Sequence, residues 1–181
     1  MEVRFSLDGS LGRLARWLRL LGGDAAGRPA DSLRAALRRA RAEERVLLTR
    51  SADLERFGGT PPRAGWLRIV ADDLPAQLLQ VDRRWPVLDR ADPLRRCALC
   101  NRSTEELPAD RARPRVPPFV ARTQERYRIC PACGRIYWEA THATAIARFV
   151  RELRSRRDPA ARTGGNGDEE DAGPDLSSPA P

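Results

Sequence analysis

At 181 residues, 41% of them apolar, the chain has room for one ordinary domain or two small ones, each with a compact core. No stretch approaches the roughly eighteen uninterrupted apolar residues of a membrane span, and the opening MEVRFSLDGS, with its acidic second residue and strand-like alternation, does not read as a signal peptide. The formal charge of +8 is uneven: residues 158–181 hold six acids against one arginine, a net −5, which leaves 32 arginines against 19 acids over residues 1–157, a net +13. A soluble cytoplasmic protein is the default expectation, and a body this basic attracts polyanions, nucleic acid foremost. Every basic side chain is arginine and none is lysine. A GC-rich coding sequence yields the same bias, so the missing lysine carries no functional weight.

In chain order, Val3, Phe5 and Leu7 alternate with Arg4, Ser6 and Asp8, the period of a strand. Ser10 can cap the helix LGRLARWLRLLG (11–22), where Leu11, Leu14, Ala15, Leu18 and Leu21 form one stripe and Arg13, Arg16 and Arg19 lie away from it. Gly22 and Gly23 suit its end. A short strand is expected at Asp24–Ala26, then a helix capped by Asp31 and running to about Arg41 on Leu33, Ala36, Leu37 and Ala40. Val46–Thr49 reads as a buried parallel strand, Trp66–Val70 as another, and Leu74 to Val81 as a helix. Strands alternating with helices predict a doubly wound or related parallel sheet flanked by helices, with its site at the carboxyl ends of the strands.

From Leu94 the character changes. A segment rich in Arg and Pro opens with CALC and closes with CPACGRIYW, and a helix follows over about 142–155, including Phe149 and Val150. Beyond Asp158 the Gly-, Pro-, Ser- and acid-rich composition cannot bury enough surface to order itself. The expected organisation is an α/β domain over 1–90, a small cysteine module with a C-terminal helix over 94–155, and a disordered acidic tail over 158–181.

All four cysteines fall in two C-x-x-C pairs, Cys97/Cys100 and Cys130/Cys133. That spacing lets both thiolates of a pair face one tetrahedral ion, and the second pair completes the shell of a structural zinc ribbon. Disulfides are the rival reading, disfavoured in a reducing compartment; a thioredoxin-like redox motif would explain one pair but not two. A closed four-thiolate shell leaves His142, the only histidine, outside the zinc site; a structural role, a phosphate contact and proton transfer all stay open for it.

Asp8 ends the first strand, Asp31 opens the second helix and Asp53 follows the Val46–Thr49 strand, so a parallel sheet can bring the three to one edge. Carboxylates clustered among arginines suit Mg²⁺ or Mn²⁺, which prefer oxygen ligands and bridge to phosphate. Helix capping is the competing reading for each.

Asp8 with LGRLARWLRLLG, Asp24, Asp31, VLLTRSADL (46–54), CALCN, RVPPFV (115–120) and CGRIYW (133–138) together resemble the Mut-seven C-terminal RNase domain family over about residues 3–152. The resemblance implies a PIN-like nuclease domain fused to a zinc ribbon and an RNase activity at an acidic, divalent-metal site. It carries Asp8 over as the first-strand aspartate and Asp31 as the acid opening the next long helix. The family's Thr-Arg-Asp after the central strand departs here to Thr49, Arg50 and Ser51, with Asp53 two residues further on, and its Gly-Ser before the final His is replaced by Ala140-Thr141.

The expected function is therefore a metal-dependent ribonuclease, with Asp8, Asp31 and Asp53 at the Mg²⁺ or Mn²⁺ and Arg13, Arg16 and Arg50 on RNA phosphates. Arg95, Arg96, Arg102, Arg128 and Arg135 would add basic surface on the cysteine module, and Tyr137 and Trp138 are either stacking faces or packing residues. The alternative is a non-catalytic RNA-binding protein in which Ser51 marks a degenerate site. A protein-interaction adaptor has no support beyond the cysteines, and no motif for a small-molecule cofactor appears.

Overall fold

The computed structural model describes residues 3–52, 61–138 and 141–157, and at 141–143 the backbone only. Asp53 and the tail 158–181 lie outside the described residues, as does the side chain of His142. The chain forms two compact units, Met1–Asn101 and from Arg102 onward.

In the first unit β1 (Arg4–Leu7), β2 (Asp24–Ala26), β3 (Val46–Thr49) and β4 (Trp66–Arg68) make one parallel sheet in the order β2-β1-β3-β4. The helices are α1 (Gly12–Leu20), α2 (Leu33–Ala42) and α3 (Leu74–Asp82). The chain leaves β1 toward β2 and then crosses back past β1 to β3. That reversal makes the carboxyl ends of β1 and β3 the switch point of a doubly wound sheet.

The alternation in β1 has a different cause from a strand half exposed to water. Ser6 is fully buried: its Oγ donates to Ala36 O (2.9 Å) and accepts from Arg39 Nε (3.0 Å). The polar position thus faces α2, whose Ala36 and Ala40 are small enough to let the helix close on Leu47. Phe5, on the other face, makes a T-shaped pair with Trp85, ring centroids 5.6 Å apart.

Three local expectations need correction. Ser10 does not cap α1, whose N-cap Leu11 makes no side-chain bond; Asp8 caps a single 3₁₀ turn at Gly9–Leu11 by accepting from Ser10 N, and the Ser10 hydroxyl turns back to the same carboxylate. Asp31 does not cap α2 either. Ser32 does, accepting from Ala35 N, while Asp31 accepts from Arg28 N one residue earlier. Arg19 is buried rather than solvated, because four carbonyls surround its guanidinium.

In the second unit β5 (Glu105–Leu107), β6 (Tyr127–Ile129) and β7 (Ile136–Trp138) form an antiparallel sheet in chain order. The short helices α4 (Ala109–Ala112) and α5 (Pro118–Thr123) fill the β5–β6 connection. Ala112, Tyr127 and Ile136 make the core, with Leu107, Val116, Val120, Ile129 and Trp138 packed against it, so Trp138 is a packing residue. The last helix, α6 (Thr141–Arg157), buries Ile146, Phe149, Val150 and Leu153, one face at i, i+3, i+4 and i+7. Among the described residues no helix is long and apolar enough to cross a membrane.

Candidate active site and metal centre

Parallel pairing of Leu7 with Leu48 sets Asp8 beside Thr49 at the switch point. Asp8 is buried, and its Oδ2 accepts from the fully buried Thr49 hydroxyl (2.5 Å) while Oδ1 accepts from Ser10 N (2.9 Å) and Ser10 Oγ. A carboxylate offers about four lone-pair positions, so these three bonds orient Asp8 and leave Oδ2 able to take one more partner. Thr49 Oγ1 in turn accepts from Ser51 N (3.1 Å), so Ser51 stands one hydrogen-bonded step from Asp8.

Gly9 brings the Asp31 segment to the same edge. Its N–H donates to Asp31 O (2.8 Å), and a Cβ there would lie 2.1 Å from Pro29 O, so no other residue fits. The Asp31 carboxylate is held through Oδ2 by Arg28 N (3.0 Å) and Arg39 NH1 (2.7 Å). Burial pushes its pKa up, but the bonds from Arg39 and the Arg28 amide, with both guanidinium charges, more than reverse this and hold the carboxyl below its ordinary value. Arg39 also donates to Leu7 O (3.0 Å), fixing α2 to the end of β1.

Of the arginines expected to face phosphate, Arg13 and Arg50 are exposed. Arg50 pairs with exposed Asp72, a surface contact that phosphate can displace cheaply. Arg16 is half-buried, its Nε enclosed with no hydrogen-bond partner.

The four cysteine Sγ atoms all lie within 4.8 Å of one another. Four sulfurs about 2.3 Å from one tetrahedral Zn²⁺ sit about 3.8 Å apart, so the set fits a metal ion such as zinc. The two pairs are built alike. Asn101 N donates to Cys97 O (3.0 Å) and Gly134 N to Cys130 O (2.9 Å), and both residues have positive φ, +61° and +70°. The sequence signals this turn at Gly134; at Asn101 the same left-handed position is taken by the side chain that best tolerates it after glycine. All four thiols are free of disulfides, and this is the only group of three or more potential metal ligands among the described residues.

A buried network that the sequence did not announce holds the first cysteine pair. Arg19 donates to Ala25 O (2.7 Å), Gly27 O (2.6 Å), Ala98 O (3.1 Å) and Leu99 O (3.0 Å). Asn101 accepts from Ala25 N and donates to Asp24, which also binds Arg45 and faces Arg96 at 3.7 Å. Burial would raise the Asp24 pKa, but the hydrogen bonds from Arg45 and Asn101 and the two guanidinium charges hold it below its ordinary value. Arg96 and Arg128 are thereby structural rather than free for RNA: Arg96 donates to Asn101 O, and Arg128 holds both oxygens of Thr104.

Asn101→Ala should cost about 2–4 kcal/mol, from two lost bonds, one to a charged group, and a Cβ residue at positive φ without a polar side chain. Asn101→Gly, which keeps the turn, should cost less. Because the Asp24 pKa is depressed on folding, its stabilisation is present above the unfolded value of about 3.9 and lost as pH falls through the folded one. Urea unfolding of the two variants should therefore show their deficits shrinking below about pH 4. Equal deficits for Ala and Gly would discount the turn.

Comparison with curated proteins and with solved structures gives no match. The profile of the Mut7-C RNAse domain matches residues 3–150, which takes in both the switch-point residues and all four cysteines. The chain belongs to the Mut7-C RNAse domain family.

Proposed function

We propose that the chain is a divalent-metal-dependent ribonuclease, a PIN-like domain over 1–90 joined to a structural zinc ribbon over 94–155. Family membership points to ribonuclease-type function. The observation that carries the proposal further is Asp8, buried at the switch point and oriented by Thr49 and Ser10 with acceptor capacity to spare.

The donor set at this edge is oxygen, the Asp8 carboxylate and the free Oδ1 of Asp31, and the sequence offers Asp53, outside the described residues, as a third acid. Those are the ligands Mg²⁺ and Mn²⁺ select, and such an ion supplies water activation and charge stabilisation in phosphodiester cleavage. The chain's own residues do the rest. Thr49 and Ser10 fix the Asp8 rotamer, Arg39 keeps Asp31 ionised, and Arg13, Arg16 and Arg50 hold the RNA backbone. Free thiols in a four-sulfur shell suit a reducing, cytoplasmic setting.

A second reading rests on one specific contact. Arg39 already neutralises Asp31, and Ser51 brings no charge, which favours an RNA-binding protein without catalysis.

Incubating labelled single-stranded and structured RNA with the full chain separates the two. Cleavage should require added Mn²⁺ or Mg²⁺, and the same ion should raise Tm, since a ligand of the folded state stabilises it by mass action. Salt-sensitive binding of intact RNA, with no effect of either ion, would select the second reading.

A further inference from the structure

The RVPPFV segment (115–120) supplies no ligand to either site described above. Val116 and Val120 turn inward onto Ala112, Tyr127 and Ile136. Phe119 between them points out and is 67% exposed, although a phenylalanine is among the side chains with most to gain from burial. Among the described residues the other large exposed apolar side chains, Val70 and Leu99, have no ring.

The backbone under Phe119 is fixed from several directions. Pro117 and Pro118 lead into α5 with φ preset. The Thr123 hydroxyl donates to Phe119 O, and the single Tyr127 Oη proton is shared between Val120 O and Gln124 O. Arg115 donates to Gly134 O, tying the start of the segment to the turn of the second cysteine pair. An aromatic face held this firmly loses little entropy when something stacks on it.

Its surroundings are strongly cationic. Over residues 113–126 stand Arg113, Arg115, Arg122 and Arg126, all exposed, against one acid, Glu125. Arg122 follows Phe119 by three residues in α5 and shares its face. Protein interfaces exclude charge from their centres, so a lone ring among four guanidinium groups does not fit a protein partner. An aromatic face with flanking cations does fit an unpaired nucleobase and its neighbouring phosphates.

We infer that Phe119 is a stacking platform for an unpaired base of RNA, with Arg115 and Arg122 on the adjoining phosphates. The inference rests on RNA being the substrate, and it adds that the substrate is single-stranded where it crosses the second unit.

The test is equilibrium binding of the full chain, without added Mn²⁺ or Mg²⁺, to an unstructured RNA carrying 2-aminopurine and to an RNA duplex. Phe119→Ala should weaken single-strand binding about 5- to 100-fold, abolish the quenching of 2-aminopurine and leave duplex binding and Tm unchanged. Phe119→Trp should retain affinity. The salt slope should be preserved in Phe119→Ala but fall by about 1–2 in Arg115→Ala/Arg122→Ala. Wild-type affinity in Phe119→Ala, or an equal loss on duplex, overturns the inference; so does a changed sedimentation coefficient with RNA affinity intact, which would assign the ring to contact between copies. If wild type binds RNA but never cleaves it, the nuclease reading fails alone. Failure of wild type to bind RNA removes both.

Discussion

Asp8→Asn is expected to lower Mn²⁺-dependent RNA cleavage by at least about 100-fold while leaving RNA affinity within about two-fold. The amide is close to isosteric and still accepts through one oxygen, so the Thr49 bond or the Ser10 bonds survive and the fold should hold. What disappears is the negative charge and half of the acceptor capacity at the switch point, which is what a divalent cation needs. Binding rests on arginines elsewhere and should keep its salt dependence. The companion variant is Ser51→Asp. Ser51 N is bonded to Thr49 Oγ1, which is bonded to Asp8, so an acid at this position brings a further negative charge to the Asp8 edge. Ser51→Asp should raise the Mn²⁺-induced Tm shift and raise cleavage about ten-fold or more. If wild type and Ser51→Asp both leave RNA intact with Mn²⁺, catalysis at this edge is ruled out.

The other large effect is loss of zinc. Purified protein should hold about one Zn²⁺ per chain. Structural sites of this kind bind with about 10–16 kcal/mol of apparent free energy in small zinc modules at neutral pH, more than a small domain's whole stability. Cys130→Ser should lose the ion and melt the second unit, whose core of Ala112, Tyr127 and Ile136 is small. The parallel sheet of the first unit should stay folded, since its own cluster and the Arg19 and Asn101 bonds do not involve Cys130. Metal analysis with far-ultraviolet circular dichroism of Cys130→Ser decides this: full zinc content would sink the site, and complete unfolding would sink the independence of the sheet.

The parts of the fold legible in the sequence are those where period and composition act locally. Asp24–Ala26 and Val46–Thr49 are strands as their short apolar or β-branched runs imply, and α2, α3 and α6 begin and end within about two residues of their stripes and breakers. Caps were less legible, because Asp31 and Ser32 are both good caps and only the return of Asp31 to Arg28 and Arg39 decides between them. The burial of Arg19 was hidden for a related reason. Its carbonyl partners at Ala98 and Leu99 lie about eighty residues away, and helical periodicity says nothing about distant acceptors. The four cysteines were readable from spacing alone, since C-x-x-C carries its geometry with it. For the acids, spacing gives only their places at the ends of elements; the Gly9 N–H bond to Asp31 O, which brings the Asp31 segment next to Asp8, depends on a packing constraint visible only when Pro29 is seen against Gly9.

The bonds from Arg19 and Asn101 also bear on how the protein is made. The Arg19 and Asn101 bonds that hold the Cys97–Cys100 turn all lie at or before Asn101, the end of the first compact unit, whereas Cys130 is thirty residues further along the chain than Cys100. At about 5–20 residues per second of synthesis, the first thiol pair emerges from the ribosome about 2–6 s before the second. A ribosome-bound nascent chain therefore presents a rigid two-thiol clamp, and the emerging second pair closes on a target already fixed in space.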